Sequence, residues 1–349
     1  MVTLDFIAAL QARDISFTNF RNALKNHNLP ASTGWDPTVE KLKPGLTGQD
    51  KEKYAVAIES IHNELTSFGD KCLKVFEVDS VYLKALIESM TKDFVCDSDL
   101  SDHYPYPMPR DELQEYNGGA TCVAYMQIGN QHDFILCSKI RVTEREEMPG
   151  TALGDEAVQD FGAFDELIGI RRRPVQLFDV ISIDPVAGYI DIRLDGLKKI
   201  SAEDLKLRVT AIERIINEFA KKTLGVDRIL ANPVNFYPAI ERLYEAPDGT
   251  IGELGHVTDA AGIYKEKMRR KDLDVRKDPY HHGGTEAVKN LNPFSISKRW
   301  ISEQGYGYPE VAIPAHFSVA SSEDPVIDMI YILGCTCIED YNFVMMKVL

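Results

Sequence analysis

The sequence contains no apolar run near the roughly 18 residues that a membrane helix needs. Its opening, MVTLDFIAALQARD, places an acid where a secretory signal would carry basic residues. Both absences argue against membrane insertion and export, and a cytoplasmic protein is expected. No CxxC pair occurs among Cys72, Cys96, Cys122, Cys137, Cys335 and Cys337. A redox dithiol or a local zinc ribbon is therefore not written in the chain, and free, mostly buried thiols in a reducing compartment are expected. Neither GxxxxGK[ST] nor GxGxxG is found, which removes the familiar phosphate-cradling loops and leaves the cofactor unassigned. Tryptophan is scarce, at 2 residues, but 15 Tyr and 15 Phe supply ample aromatic surface for globular cores.

Positive charge is also in deficit. The formal net charge is −15, and the stretch from Phe94 to Ile168 carries most of it, with 15 acids against Arg110, Lys139, Arg141 and Arg145. Overall repulsion disfavours a protein that coats nucleic acid, although a local basic face elsewhere stays open. An acidic, well-solvated surface accounts for the excess.

With 349 residues, the chain is long enough for two or three domains. Apolar residues recur at three and four in LDFIAAL, FTNFRNALKNHNL and YAVAIESIHNELTSFG, and Asp36-Pro37 offers a further helix start. Residues 1–93 are thus expected to form a helical bundle, an interaction module. Residues 94–225 are expected to be an α+β domain with an acidic first half, and 226–349 a C-terminal α+β part that could share one body with it. DSDLSDHYPYPMPRDELQEYNGG shows no period and reads as a long connection. ATCVAYMQIG and HDFILCSKIRVTE read as strands joined at Gly129-Asn130, followed by an irregular acidic piece from Met148. VQLFDVISID and YIDIRLDG meet at a PVAG turn. They feed a long helix capped by Ser201 with Asp204, whose apolar stripe is Leu205, Val209, Ile212, Ile215, Ile216 and Phe219. The C-terminal PVIDMIYILGCTCIEDYNFVMMKVL reads as strands. The expected class is α+β: an N-terminal helical bundle followed by a mixed, largely antiparallel sheet domain with packed helices, without regular βαβ alternation.

Four stretches could carry chemistry. Asp97, Asp99, Asp102 and His103 could surround a hard cation, but the spacing fails as an EF-hand and suits an acidic turn. Asp184 and Asp191, followed by Arg193, could hold a divalent cation for phosphodiester cleavage, or Asp191, Arg193 and Asp195 could be the wet side of a half-exposed sheet. Cys335 and Cys337 lie two apart on an expected strand, with His316 too distant in sequence to place beside them. Around DPYHHGGTEAV, from Tyr264 to Tyr280, seven basic residues stand against four acids. Arg269, Arg270, Arg276, His281, His282, Gly283, Gly284 and Thr285 form the candidate anion site there, with Thr285 as cap of a helix begun by Glu286. A plain Gly-Gly turn beside a basic helix face fits the same residues, and the metal remains unassigned. The weak catalytic candidates are His282, Asp184 and Asp191.

Without a strong catalytic signature, whether the chain is an enzyme stays open. The expected function is a regulatory or adaptor subunit of a multi-protein system, antiviral defence among them. It would engage a protein partner and a phosphate-bearing or nucleic-acid ligand through the basic Gly-Gly segment, at no membrane, with oligomerisation open. The alternatives are a metal-dependent phosphodiesterase or nuclease, and a DNA-binding protein that uses the N-terminal helices.

Overall fold

The computed structural model describes residues 2–152, 154, 159, 162, 164–197, 200–259, 261–288 and 290–349. Four helices open it: α1 (Val2–Ala12), α2 (Phe17–Asn26), α3 (Trp35–Thr47) and α4 (Lys51–Phe68). Their helically spaced apolar residues, among them Leu10, Phe20, Leu24, Leu42, Ile61 and Leu65, share one small core. Helix α3 starts at Trp35 with Gly34 in the cap position, two residues ahead of the expected start, and the Trp35 ring stacks on Phe20 at 4.7 Å.

The helical reading of residues 1–93 fails at KCLKVFE. Lys71–Glu77 is strand β1, which lies in the interior of the sheet, and α5 (Ser80–Asp93) follows it. An interior strand is buried on both faces, so Cys72, Leu73, Val75 and Phe76 give an apolar run without the alternation of a half-exposed strand. The segment expected to be a long connection holds two short helices, α6 (Asp99–His103) and α7 (Arg110–Glu115). Ser98 and Ser101 cap the first of them reciprocally, which polar turn chemistry without a period conceals.

Two hairpins follow: β2 (Thr121–Ile128) with β3 (Gln131–Pro149), and β4 (Glu166–Asp184) with β5 (Tyr189–Leu194). Gly129 and Gly188 take positive φ at the two expected turns, 61° and 81°. Helix α8 (Ala202–Leu224) is capped by Ser201, whose Oγ accepts from Asp204 N, and closes at left-handed Gly225. Leu205, Val209, Ile212 and Ile216 of its expected stripe are buried, while Ile215 and Phe219 are half-buried. The chain continues through β6 (Asn232–Pro233), α9 (Tyr237–Glu245), β7 (Thr250–Thr258), β8 (Ile263–Lys267), α10 (Pro279–Ala287), β9 (Leu291–Arg299), β10 (Glu310–Ile313), α11 (Phe317–Ala320), β11 (Ile330–Leu333) and α12 (Ile338–Val348). The C-terminal segment read as strand is therefore helix from Ile338. Tyr341, Val344, Met345 and Val348 are its buried apolar residues, at helical spacing.

Among the described residues, eleven antiparallel strands form one sheet in the order β2-β3-β4-β5-β1-β11-β10-β9-β7-β8, with β6 pairing β1. The protein is thus α+β, with helices first and an antiparallel sheet with packed helices after them. Helices α5 and α8 cover one face around Phe76, Phe134 and Ile190, and α9 and α12 cover the other around Val75, Ile332 and Val311. Strands β3 and β4 run on past their neighbours as a two-stranded ribbon that exposes Ile168 and Ile170. No helix among the described residues is long and apolar enough to cross a membrane.

Candidate functional site

Strands β7 and β8 pair His256 with Tyr264 and Leu254 with Glu266, so His256, Tyr264 and Glu266 share one face at the sheet margin. Helix α10 lies over that face. Asp278 caps it by accepting from Tyr280 N, and Pro279 occupies its first position. HHGGTEA is therefore the body of a helix rather than a turn, and Thr285 is not its cap: Thr285 Oγ1 donates to the carbonyl of His282. Asp-Pro supplies a start signal strong enough to carry a nine-residue helix through two glycines, each of which costs about 1 kcal/mol relative to alanine.

A cavity of about 460 Å³ opens between this helix and the two strands. His256, Tyr264, Glu266 and His281 supply its polar wall, and Gly283, Gly284, Thr285, Ala287, Val288 and Leu291 its largely apolar remainder. Gly283 and Gly284 leave the helix side bare, and a Cβ at either would meet nothing within 4 Å. His281 is buried and held at both ring nitrogens, with Nδ1 2.8 Å from Glu266 Oε1 and Nε2 3.0 Å from Tyr244 Oη. Nδ1–H donates to the carboxylate, which leaves Nε2 to accept from the tyrosine hydroxyl. His256 stacks on Tyr264 at 5.3 Å. Its Nδ1 stands 3.5 Å from the same Glu266 oxygen and is buried without a hydrogen bond. Burial pushes the His256 imidazole below its ordinary pKa, against the opposing pull of Glu266, and pushes the Tyr244 phenol up.

The expected anion site is only partly assembled. His281, Gly283, Gly284 and Thr285 come together on the cavity, whereas His282 is exposed outside its lining. Arg269 and Arg270 are exposed in the turn after β8, where Arg270 lies 3.4 Å from Asp272. Arg276 is consumed by structure: it pairs with Asp274 and donates to the carbonyls of Tyr244, Ala246 and Gly249, fixing the turn from α9 into β7. The basic segment is an edge strand and a loop, not a basic helix face. Tyr244, His256 and Glu266 escaped the sequence reading. A histidine inside the apolar run IGELGHVT was the one available signal, because its pairing with Tyr264 depends on strand register.

The two acids considered for metal chemistry have other work. Asp184 accepts from Val186 N and Ala187 N at the turn into β5. Asp191 binds Arg193 through both carboxylate oxygens and accepts from Tyr341 Oη at 2.9 Å. Asp191 and Arg193 are fully buried, so the alternative of a wet strand face is corrected as well. Tyr341 and Phe68 cover the Arg193 guanidinium, Gln131 accepts from it, and Asp133 stands 3.6 Å away. Asp97, Asp99, Asp102 and His103 surround the short α6, where His103 pairs with Glu112. Cys335 and Cys337 lie between β11 and α12, both buried, and burial raises both thiols. No group of three or more His, Cys, Asp or Glu poised for a metal occurs among the described residues. In comparisons with known proteins, no family model and no curated sequence matches this chain.

Proposed function

We propose that the protein is a recognition subunit, which binds a small, mostly apolar ligand with a polar tip in the cavity under α10 and presents its remaining surface to a protein partner. The observation that carries this reading is the cavity itself. Its volume of about 460 Å³ falls within the ~300–1,000 Å³ of small-molecule sites, and it combines apolar walls with a few convergent polar groups. Recognition is favoured over catalysis because both ring nitrogens of His281 are engaged within the protein and burial weakens His256 as a base. A general base needs a ring nitrogen within reach of a substrate proton. Arg269, Arg270, Arg276 and His282 of the expected anion site lie outside the cavity lining, so a heteroaromatic or amphipathic ligand suits it better than a phosphate. The ribbon of β3 and β4 supports the adaptor part, since Ile168 and Ile170 are exposed to 63% and 62% at positions two apart on one strand.

Ligand-observed NMR with a library of heteroaromatic fragments tests this. Binders should compete with one another, and Thr285→Trp, which fills the cavity, should reduce their binding at least tenfold while the fold is kept. Fragments that bind the variant equally well would move recognition elsewhere.

A further inference from the structure

We propose that a second, polar cavity, where α1 and α2 meet the sheet, binds a compact organic oxyanion, a carboxylate or phosphate ester. It is about 250 Å³ in volume and is independent of the cavity under α10. This lies below the size of drug-sized sites, which restricts the occupant to a small molecule. The inference rests on an imbalance between donors and acceptors on the cavity wall.

Arg13 leaves α1 with its guanidinium 4.0 Å above the Phe178 ring, and Nη1 donates to Thr66 Oγ1 at 2.8 Å. Its Nε and Nη2 are buried without hydrogen bonds, and Nη2 lies 3.7 Å from Asp195. Gln176 accepts from Met108 N through Oε1, and its buried Nε2 has only the weakly accepting Cys137 thiol beside it. Lys71 is buried on β1 with long contacts only, 3.5 Å to the Phe178 carbonyl and 3.7 Å to Asp195. Three donor-bearing side chains thus line one wall, where Asp195 stands 3.7 Å from both Arg13 and Lys71, beyond hydrogen-bond reach of either. Asp70, also on the wall, already accepts from Asn19 Nδ2 and Gly334 N, and Asp14 completes the acids of the lining. Arg110 adds positive charge to the rest of the lining, while Arg173 there is paired with Glu144. Buried donors without acceptors are rare in folded proteins, and oxyanion oxygens supply what this wall lacks. Burial lowers the Lys71 ammonium's pKa, against the opposing pull of Asp195, so an added negative charge there also stabilises the protonated amine.

Calorimetric titration of the full chain with inorganic phosphate and, separately, with succinate at constant ionic strength tests the assignment. At least one titrant is expected to bind saturably with one site per chain, and the stronger of the two identifies the oxyanion type. Arg110→Ala, an exposed substitution, should weaken that binding about threefold or more. Gln176→Glu, which sets a like charge on the wall, should weaken it at least tenfold, and is read only if its circular dichroism matches the parent. If it does not fold, Arg110→Ala decides alone. No saturable heat from either titrant, or unchanged affinity in Arg110→Ala, overturns the proposal.

Discussion

Replacing Asp191 by asparagine removes the charge that neutralises Arg193 at a position fully closed to solvent. Breaking a buried ion pair typically costs about 3–5 kcal/mol, and with Asp133 still 3.6 Å from Arg193 the loss in D191N should fall at the lower end, read as a lower urea midpoint with an unchanged slope. His62 sets a second residue-scale expectation. Its ring is fully buried beside Phe6, and burial, then the neighbouring Arg13 charge, push its pKa down to about 4 from an ordinary 6.5. Between these values the unfolded chain binds a proton that the folded chain refuses. Stability therefore rises with pH across that window, is complete above it, and is lost as pH falls toward 4. The loss attributable to this ring approaches about 3 kcal/mol. Urea unfolding of the parent and of His62→Gln at pH 4.5 and pH 7 should show a smaller pH dependence in the variant, whereas equal dependence would assign the titration to other groups.

Helix α10 is the element on which the cavity depends, and its intrinsic support is weak. It has nine residues and two adjacent glycines, and His281 is its one buried residue. Gly283→Ala and Gly284→Ala should each favour the helix by up to ~1 kcal/mol, because the added methyls meet nothing. Slower amide exchange confined to residues 279–287 would confirm it, and unchanged exchange would show that tertiary contacts already fix the helix. The same glycines explain why this site was only half legible: HHGG reads as a turn unless Asp278-Pro279 is recognised as a helix start. Helix α8 was legible in full, since Ser201, Gly225 and an uninterrupted apolar stripe agree with one another. Strand β1 and helix α12 were not. Interior apolar segments carry no period that separates strand from helix, and their identity is decided by partners far along the chain. His256, Glu266 and Tyr244 are likewise joined by register and packing across 23 residues of sequence.

At the scale of the molecule, the sheet spans both halves of the chain through β1 and β11, and the helical bundle meets it across polar, partly buried contacts. Arg13 faces Asp195 and Asn19 bonds Asp70, while Asn26 reaches Thr336 at 3.0 Å. The two tryptophans report on the two parts separately, Trp35 from the bundle and Trp300 from the sheet core. Single-tryptophan variants, Trp35→Phe and Trp300→Phe, should unfold with midpoints that track circular dichroism, as expected for one cooperative unit. Separate midpoints for the two probes would mean that the bundle melts independently. Recognition under α10 is the central claim, and histidine side-chain ¹⁵N–¹H spectra test it most directly. On titration with a fragment that binds, the ring signals of His256 and His281 should move saturably while exposed His316 stays fixed, and Thr285→Trp should abolish the movement. Fragment binding that leaves His256 and His281 unmoved would contradict the account.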